Sequence, residues 1–159
     1  MMLRQINRGR SSFLLLTFSI FLVLFNTTLP MAGEKNLRQI EERYNKAKDY
    51  YYLLIRDPEV QQDRGNWLKG IGEFRRIYLA APKGDFAANC LFMLAKMHYR
   101  MYMRFHQKSD LDDSIAYYRD VYTLFPGNTL ADDAMFWSAE IYLKDKQDPR
   151  QAAKLYAKQ

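Results

Sequence analysis

The sequence has little of the material from which most catalytic and disulfide-rich proteins are built. Of its 159 residues one is Cys and two are His, which excludes an internal disulfide framework and a thiolate-rich zinc site. Only 7 residues are Gly and 5 are Pro, a scarcity that disfavours a turn-rich β-sandwich. The sequence contains no P-loop and no G-x-G-x-x-G string, so no nucleotide cofactor is predicted. We predict no other cofactor for this chain.

Apolar and aromatic residues are abundant instead. Hydrophobic residues make up 48% of the chain and charged residues 26%, which predicts a folded rather than a disordered protein. Aromatic residues reach 15%, and together with the scarcity of Gly and Pro this composition favours long helices. The length suits a single folded domain.

The N-terminal segment is typical of an export signal. Residues 1–12 carry three arginines and no acidic residue, and residues 13–25 then form an apolar run of 13 residues. Such a run matches the core of a secretory signal and is short for a membrane span of about 20 residues. We therefore predict a signal peptide over residues 1–32, cleaved after Ala32. The alternative is an uncleaved membrane anchor.

The net charge is interpreted together with this segment. The formal charge is +6 at pH 7, and the three arginines of residues 1–12 account for half of it. An exported protein with so modest a remaining charge meets no nucleic acid, so a solvated surface of mixed charge is expected. Membrane contact is expected only through the N-terminal segment.

From about residue 36 onward, apolar residues recur every three or four positions, which is the spacing of one helix face. No segment alternates with period two for long enough to predict a strand. Asp148 and Pro149 are typical of a helix start, with Asp as the N-cap and Pro at the first helical position. The pattern predicts six helices, interrupted at Asp57-Pro58, residues 82–85, residues 107–110, residues 126–128 and Asp148.

Two helix pairs repeat at an offset of 44 residues. A small residue, an aromatic ring and a proline recur in each unit: Gly70, Phe74 and Pro82, then Ser114, Tyr118 and Pro126. The small residue lets two helices approach closely, the ring fills the adjacent space, and the proline ends the helix. These residues resemble the A-x₃-F…P half of a tetratricopeptide repeat (TPR).

The offset exceeds the 34 residues of a TPR and falls within the range of HEAT-type repeats. An insertion of about six residues within residues 100–110 favours a TPR pair with one lengthened helix over a true longer repeat.

The TPR resemblance implies an all-α fold, a TPR-like α-α superhelix in which antiparallel helix pairs form a solenoid after an N-terminal signal helix. It covers residues 36–159. The last helix begins the pattern again with Ala152 and Tyr156 but stops before a proline, so the last repeat is expected to be incomplete. Its open face is then expected to pack on a partner or on a second copy, or to continue into a longer protein.

A second, narrower resemblance covers nearly all of the chain after the signal segment. It rests on five blocks, residues 66–68, 77–85, 91–95, 110–112 and 130–134. These blocks are similar to the helical repeat region that follows the signal peptide in some Gram-negative N-acetylmuramoyl-L-alanine amidases. This resemblance implies a periplasmic location, and it reaches none of the catalytic part of those enzymes.

The sequence predicts no catalytic residue and no metal ligand. His98 and His106 are eight residues apart, a helical rise of about 12 Å that is too long for a shared zinc ion. His98 occupies a position where the repeat pattern expects a packed ring, so it is expected in the interior, whereas His106 is expected at the surface. Cys90 is expected to be a small buried residue rather than a nucleophile.

The predicted function lies in a surface for a protein or peptide partner. In a solenoid the first helix of each pair lines the inner face, and aromatic anchors with both charge signs suit an extended peptide or a partner helix. Two alternatives stay open: Phe92 and Phe136 pack between repeats, and Tyr102 and Phe105 pack against the first helix. The predicted partner-binding residues are Asn89, Phe92, Lys96, Tyr99, Arg100, Tyr102, Phe105, Asp133, Phe136, Glu140 and Lys144.

Two functions are compatible with these observations. The first is a non-catalytic, exported TPR-like scaffold that mediates protein–protein interaction in the cell envelope. The second is the N-terminal accessory region of a cell-wall N-acetylmuramoyl-L-alanine amidase, a peptidoglycan hydrolase whose catalytic domain is not in this chain.

Overall fold

A computed structural model describes residues 29–158, and their side chains from Gly33 onward. Every regular element in that range is helical and no strand occurs in it, which confirms the predicted all-α class. A short 3₁₀ turn, Val60–Gln62, follows the first helix. The helices are α1 (Leu29–Arg56), α2 (Arg64–Ala80), α3 (Ala87–Phe105), α4 (Lys108–Leu124), α5 (Leu130–Lys144) and α6 (Pro149–Tyr156).

The chain divides after Gln39, and the packing described below belongs to the part from Ile40 onward. The predicted signal peptide lies outside the described residues except for its last four, which belong to α1. Within residues 29–158 no helix combines the length and the apolar character that crossing a bilayer requires.

Acidic side chains mark the helix boundaries. At the end of α1 the Asp57 carboxylate accepts hydrogen bonds from the backbone N–H groups of Glu59 and Val60, at 2.9 and 3.1 Å. The predicted Asp148 cap of α6 is confirmed, since its carboxylate accepts from the backbone N–H of Gln151 at 3.0 Å. Asp63 caps α2 in a similar way, which the apolar pattern did not predict.

The connection between α3 and α4 is the tightest in the described chain, because only His106 and Gln107 separate the two helices. His106 has a left-handed backbone conformation with φ of 55°, and its N–H donates to the Tyr102 carbonyl. A chain that reverses within two residues sends α4 back along α3, and these two helices form the most extensive helix–helix contact.

The main core extends from α1 to α5, and α1, α2 and α3 approach one another closely at Gly70. A Cβ atom at Gly70 would lie 2.6 Å from Cε of Met97 and 3.2 Å from Cδ1 of Tyr50, so only glycine fits there without a shift. One helical turn later Phe74 is fully buried. Ser114 and Tyr118 are buried in the same way on α4. The prediction that these small and aromatic residues face the interior is therefore confirmed.

The first helix contributes aromatic rings to this core. Tyr44 contacts Phe74 edge to face at a centroid distance of 5.8 Å and lies 5.0 Å from the ring of Phe86. At the other end of the chain, Ala139, Ala152 and Leu155 form a smaller core between α5 and α6.

Candidate functional site

A cleft of about 610 Å³ opens beside α3 and is the site that best fits ligand binding in the described part of the chain. Its wall is one face of α3, because residues three and four apart on a helix point the same way. Aromatic residues from α2, α4 and α5 complete it. The lining residues are Gln61, Trp67, Lys96, Tyr99, Arg100, Met103, Arg104, Tyr118 and Trp137.

The lining is cationic. It includes Lys96, Arg100 and Arg104, and no Asp or Glu is among the described residues that line the cleft. Tyr51 of α1 positions two of these cations: Nζ of Lys96 lies 5.6 Å from its ring centroid, and Nε of Arg100 donates to its hydroxyl at 3.2 Å. Arg104 donates to the side-chain oxygen of Gln61. The three positive charges are thus held on one side of the cleft.

The rest of the lining is aromatic. Trp67 is buried, and its Nε1 donates to the Gln61 carbonyl oxygen at 2.8 Å. Trp137 is 42% exposed, so its indole ring is available to a ligand. Tyr99 donates to Oδ2 of Asp145 at 3.1 Å. Rings beside cations suit a ligand that carries both apolar and negatively charged groups.

Both tyrosines of the cleft stay protonated at neutral pH. Burial, with Asp145 next to the hydroxyl, raises the pKa of Tyr99 to about 12. Burial also raises the pKa of Tyr118 well above its usual range. Their hydroxyl groups are therefore uncharged and do not repel a carboxylate.

The structure brings three of the predicted partner-binding residues into this cleft: Lys96, Tyr99 and Arg100. Phe92 is half-buried and packs edge to face on Tyr118 of α4 at 5.3 Å, so this contact lies within its own predicted helix pair rather than between repeats. Phe136 is 40% exposed, and its ring lies 5.5 Å from that of Trp137.

The other predicted residues lie outside the cleft lining. Tyr102 and Phe105 are half-buried and pack against the core. Glu140 pairs with Lys144 and accepts a hydrogen bond from the hydroxyl of Tyr156. Both contacts lower the pKa of the Glu140 carboxyl group, and the contact with Lys144 has the larger effect. Asn89 is half-buried and Asp133 is exposed.

Several cleft residues were not predicted. Met103 and Arg104 continue the α3 face of Lys96 and Arg100, so the three-and-four spacing alone could have found them. The spacing could not have placed Trp137 in the cleft, because its neighbour Ser138 fits the apolar stripe of α5 equally well. The structure buries Ser138 and exposes Trp137.

The histidines and the cysteine lie as the sequence predicted. His98 is 4% exposed and His106 is on the surface. Burial raises the pKa of the Cys90 thiol to about 12, which leaves it unreactive at neutral pH.

The sequence matches no protein-family model and no curated protein. The resemblances to tetratricopeptide repeats and to the helical region of cell-wall amidases therefore stay predictions drawn from this chain's own residues.

Proposed function

We propose that this chain is a non-catalytic, TPR-like scaffold that binds a protein partner in the cell envelope through the cationic cleft beside α3. The observation that carries the proposal is the composition of the cleft, in which three cations stand beside aromatic rings without an opposing carboxylate among the described lining residues. A reactive group is not needed for such a site, because charge and ring complementarity are sufficient to bind a peptide.

The stacking of TPR-like antiparallel helix pairs is part of this proposal. It is supported by the matching burial of Gly70 with Phe74 and of Ser114 with Tyr118, since both units use a small residue one turn before a ring. In such a stack α3 and α5 are the first helices of their pairs and line the inner face. Lys96 and Arg100 from α3 and Trp137 from α5 would then meet the same ligand.

The cleft favours a peptide that carries Asp or Glu next to an apolar or aromatic side chain. A carboxylate of the peptide can pair with Arg100 or Lys96. The exposed Trp137 ring offers a stacking surface of the kind that anchors protein interfaces.

A peptide selection tests this function. A random peptide library displayed on phage is selected on the full chain, and the affinity of the enriched peptides is then measured by calorimetry. We expect enrichment of acidic residues next to aromatic ones. Arg100→Gln should weaken binding by about ten-fold or more, because a charge-assisted hydrogen bond contributes about 1.5–3 kcal/mol.

Arg43→Gln is the matched control, since Arg43 is exposed on α1 and does not line the cleft. Its affinity for the selected peptides should equal that of the unchanged chain. Peptides without acidic residues, or an equal loss of affinity in both variants, would contradict the proposal.

The proposed place of action is the periplasm, supported by the arginine-rich and apolar pattern of residues 1–25. A fusion of residues 1–32 to a reporter enzyme that needs disulfide bonds, such as alkaline phosphatase, should be active in bacteria, because these bonds form only after export. An inactive, full-length reporter would argue against export.

A further inference from the structure

A second cluster of ionisable side chains lies away from the cleft, where α3 packs on the first turn of α4. Nδ1 of His98 lies 3.5 Å from Oδ1 of Asp110 and 3.6 Å from Oδ2 of Asp113. The two carboxylates are three residues apart and therefore share one face of α4. One ligand atom from each of these three residues lies within 4.8 Å of the other two.

The histidine in this cluster lacks the contacts that a buried imidazole normally makes. Its side chain is almost fully buried, yet within residues 29–158 neither ring nitrogen has a hydrogen-bond partner. Oδ2 of Asp110, which is 2% exposed, has none either. Nearly all buried polar groups are paired, so the unpaired Nδ1 of His98 and Oδ2 of Asp110 indicate a ligand that would satisfy both atoms.

We propose that His98, Asp110 and Asp113 bind a divalent first-row transition-metal ion such as Zn²⁺. Zinc lies about 2.0–2.1 Å from nitrogen and oxygen ligands, so neighbouring ligand atoms of a tetrahedral site are roughly 3.3 Å apart. The distances of 3.5 and 3.6 Å from Nδ1 to the two carboxylates are close to this value, and the three ligand atoms all lie within 4.8 Å of one another. Three protein ligands leave a fourth position to water.

One carboxylate of the cluster has no Lys or Arg partner among the described residues. Two guanidinium groups lie near the imidazole: Arg64 donates to Oδ1 of Asp110 at 3.0 Å, whereas Arg75 donates to the hydroxyl of Tyr117 at 2.8 Å. The carboxylate of Asp113 pairs with neither of them, so a cation at this place would be its partner. The contact with Arg64 also fixes the orientation of the Asp110 carboxylate, as outer hydrogen bonds commonly do for metal ligands.

Access and ligand type narrow the choice of ion. Asp113 is 55% exposed, so an ion can enter from solvent without opening the core. An imidazole nitrogen suits Zn²⁺ better than Mg²⁺ or Ca²⁺, which prefer all-oxygen sites, and the absence of a thiolate among the three ligands disfavours Cu⁺.

This site departs from the prediction that the chain has no metal ligand. That prediction considered His98 together with His106, which lie on the same stretch of chain. The carboxylates that face His98 come from the next helix, 12 and 15 residues away, and only the packing of α3 on α4 brings them together.

Calorimetric titration of Zn²⁺ into the full chain, first treated with a chelator, tests the site. All titrations use a chain with His106→Gln, because this substitution removes the exposed histidine. In that background we expect one bound Zn²⁺ ion per chain. Asp113→Asn should weaken the affinity for Zn²⁺ by at least about 100-fold, because even the substitution of residues that only hydrogen-bond to metal ligands lowers metal affinity by about 10- to 100-fold.

Asp112→Asn is the matched control. Asp112 is the adjacent residue, is 62% exposed and pairs with Lys146 rather than with His98, so its removal should leave Zn²⁺ affinity unchanged. Equal affinity in the Asp112 and Asp113 variants, or no Zn²⁺ binding at millimolar concentration, would overturn the proposal.

A measurement on the unchanged chain does not depend on these variants. With only two histidines, ¹⁵N nuclear magnetic resonance resolves all four ring nitrogens. Zn²⁺ should move the Nδ1 signal of His98 at a concentration that leaves His106 unaffected. A response confined to His106 would show adventitious surface binding and would refute the buried site.

Discussion

Arg100 donates a hydrogen bond from Nε to the hydroxyl of Tyr51, 3.2 Å away, and this contact connects the cationic wall of the cleft to α1. The hydroxyl belongs to a fully buried ring, so it is a fixed acceptor. The guanidinium group is held with its remaining N–H donors free to meet a ligand.

Tyr51→Phe removes only the acceptor of this bond. We expect the free energy of unfolding to fall by about 1 kcal/mol, the usual net value of such a hydrogen bond, as measured by urea denaturation. Tyr52→Phe is the control, because Tyr52 is exposed. Equal effects of the two changes would mean that the contact with Arg100 does not contribute to stability.

The two interior glycines of α2 provide a matched pair. Alanine at Gly72 meets only the end of the Arg76 side chain at 3.6 Å, so Gly72→Ala should stabilise the protein by about 1 kcal/mol through helix propensity. Alanine at Gly70 gains the same propensity but overlaps Met97 and Tyr50. Overpacking costs about 1–3 kcal/mol, so Gly70→Ala should be less stable than Gly72→Ala by that amount.

Thermal or urea denaturation of both glycine variants measures this difference. If the two variants were equally stable, the close approach of α1, α2 and α3 at Gly70 would be wrong.

The stability of the metal-free protein should depend on pH through His98. Burial lowers the pKa of this imidazole below 6.5 despite the carboxylates of Asp113 and Asp110, and Arg75 also lowers it slightly. The unfolded chain then takes up a proton before the folded chain does. Stability from this source is complete above pH 6.5 and is lost as the pH falls through the lower pKa of the folded state.

Denaturation with a chelator present, at a series of pH values below 7, measures this effect. The charged and titratable groups around the ring are Asp110, Asp113 and Tyr117 on α4 and Arg64 and Arg75 on α2. All of them stay in the variant His98→Gln, whose stability should depend less steeply on pH below 6.5. Parallel curves for the two proteins would exclude His98 as the group responsible.

The isolated chain should leave peptidoglycan intact in a zymogram. The Cys90 thiol is buried with a raised pKa of about 12, so it supplies no nucleophile at neutral pH. An active amidase of known sequence, run on the same gel, is the positive control. Clearing by the isolated chain would contradict the proposed non-catalytic function.

The sequence predicted the helices better than it predicted the sites. Three-and-four spacing and the prolines located the helices, and Asp148 was correctly assigned as a cap, because these signals are local. Asp63 was missed as a cap because it follows the polar pair Gln61-Gln62 without an apolar marker.

The sites depend on how separate helices meet, which spacing along one chain does not encode. Whether Trp137 or Ser138 faces the core is decided by the fit against neighbouring helices, because adjacent helical residues diverge by about 100°. In the same way, the proximity of His98 to Asp113 depends on the register between α3 and α4, and that register follows from tertiary packing.

The two-residue turn at His106 has a consequence for the folding pathway. Joining α3 to α4 closes a very short loop, so their pairing loses little chain entropy compared with contacts between distant segments. Helical hairpins with such local contacts form quickly, and we expect this one to be the nucleus on which the neighbouring helices assemble. Lengthening the turn with glycines should then slow refolding much more than it speeds unfolding.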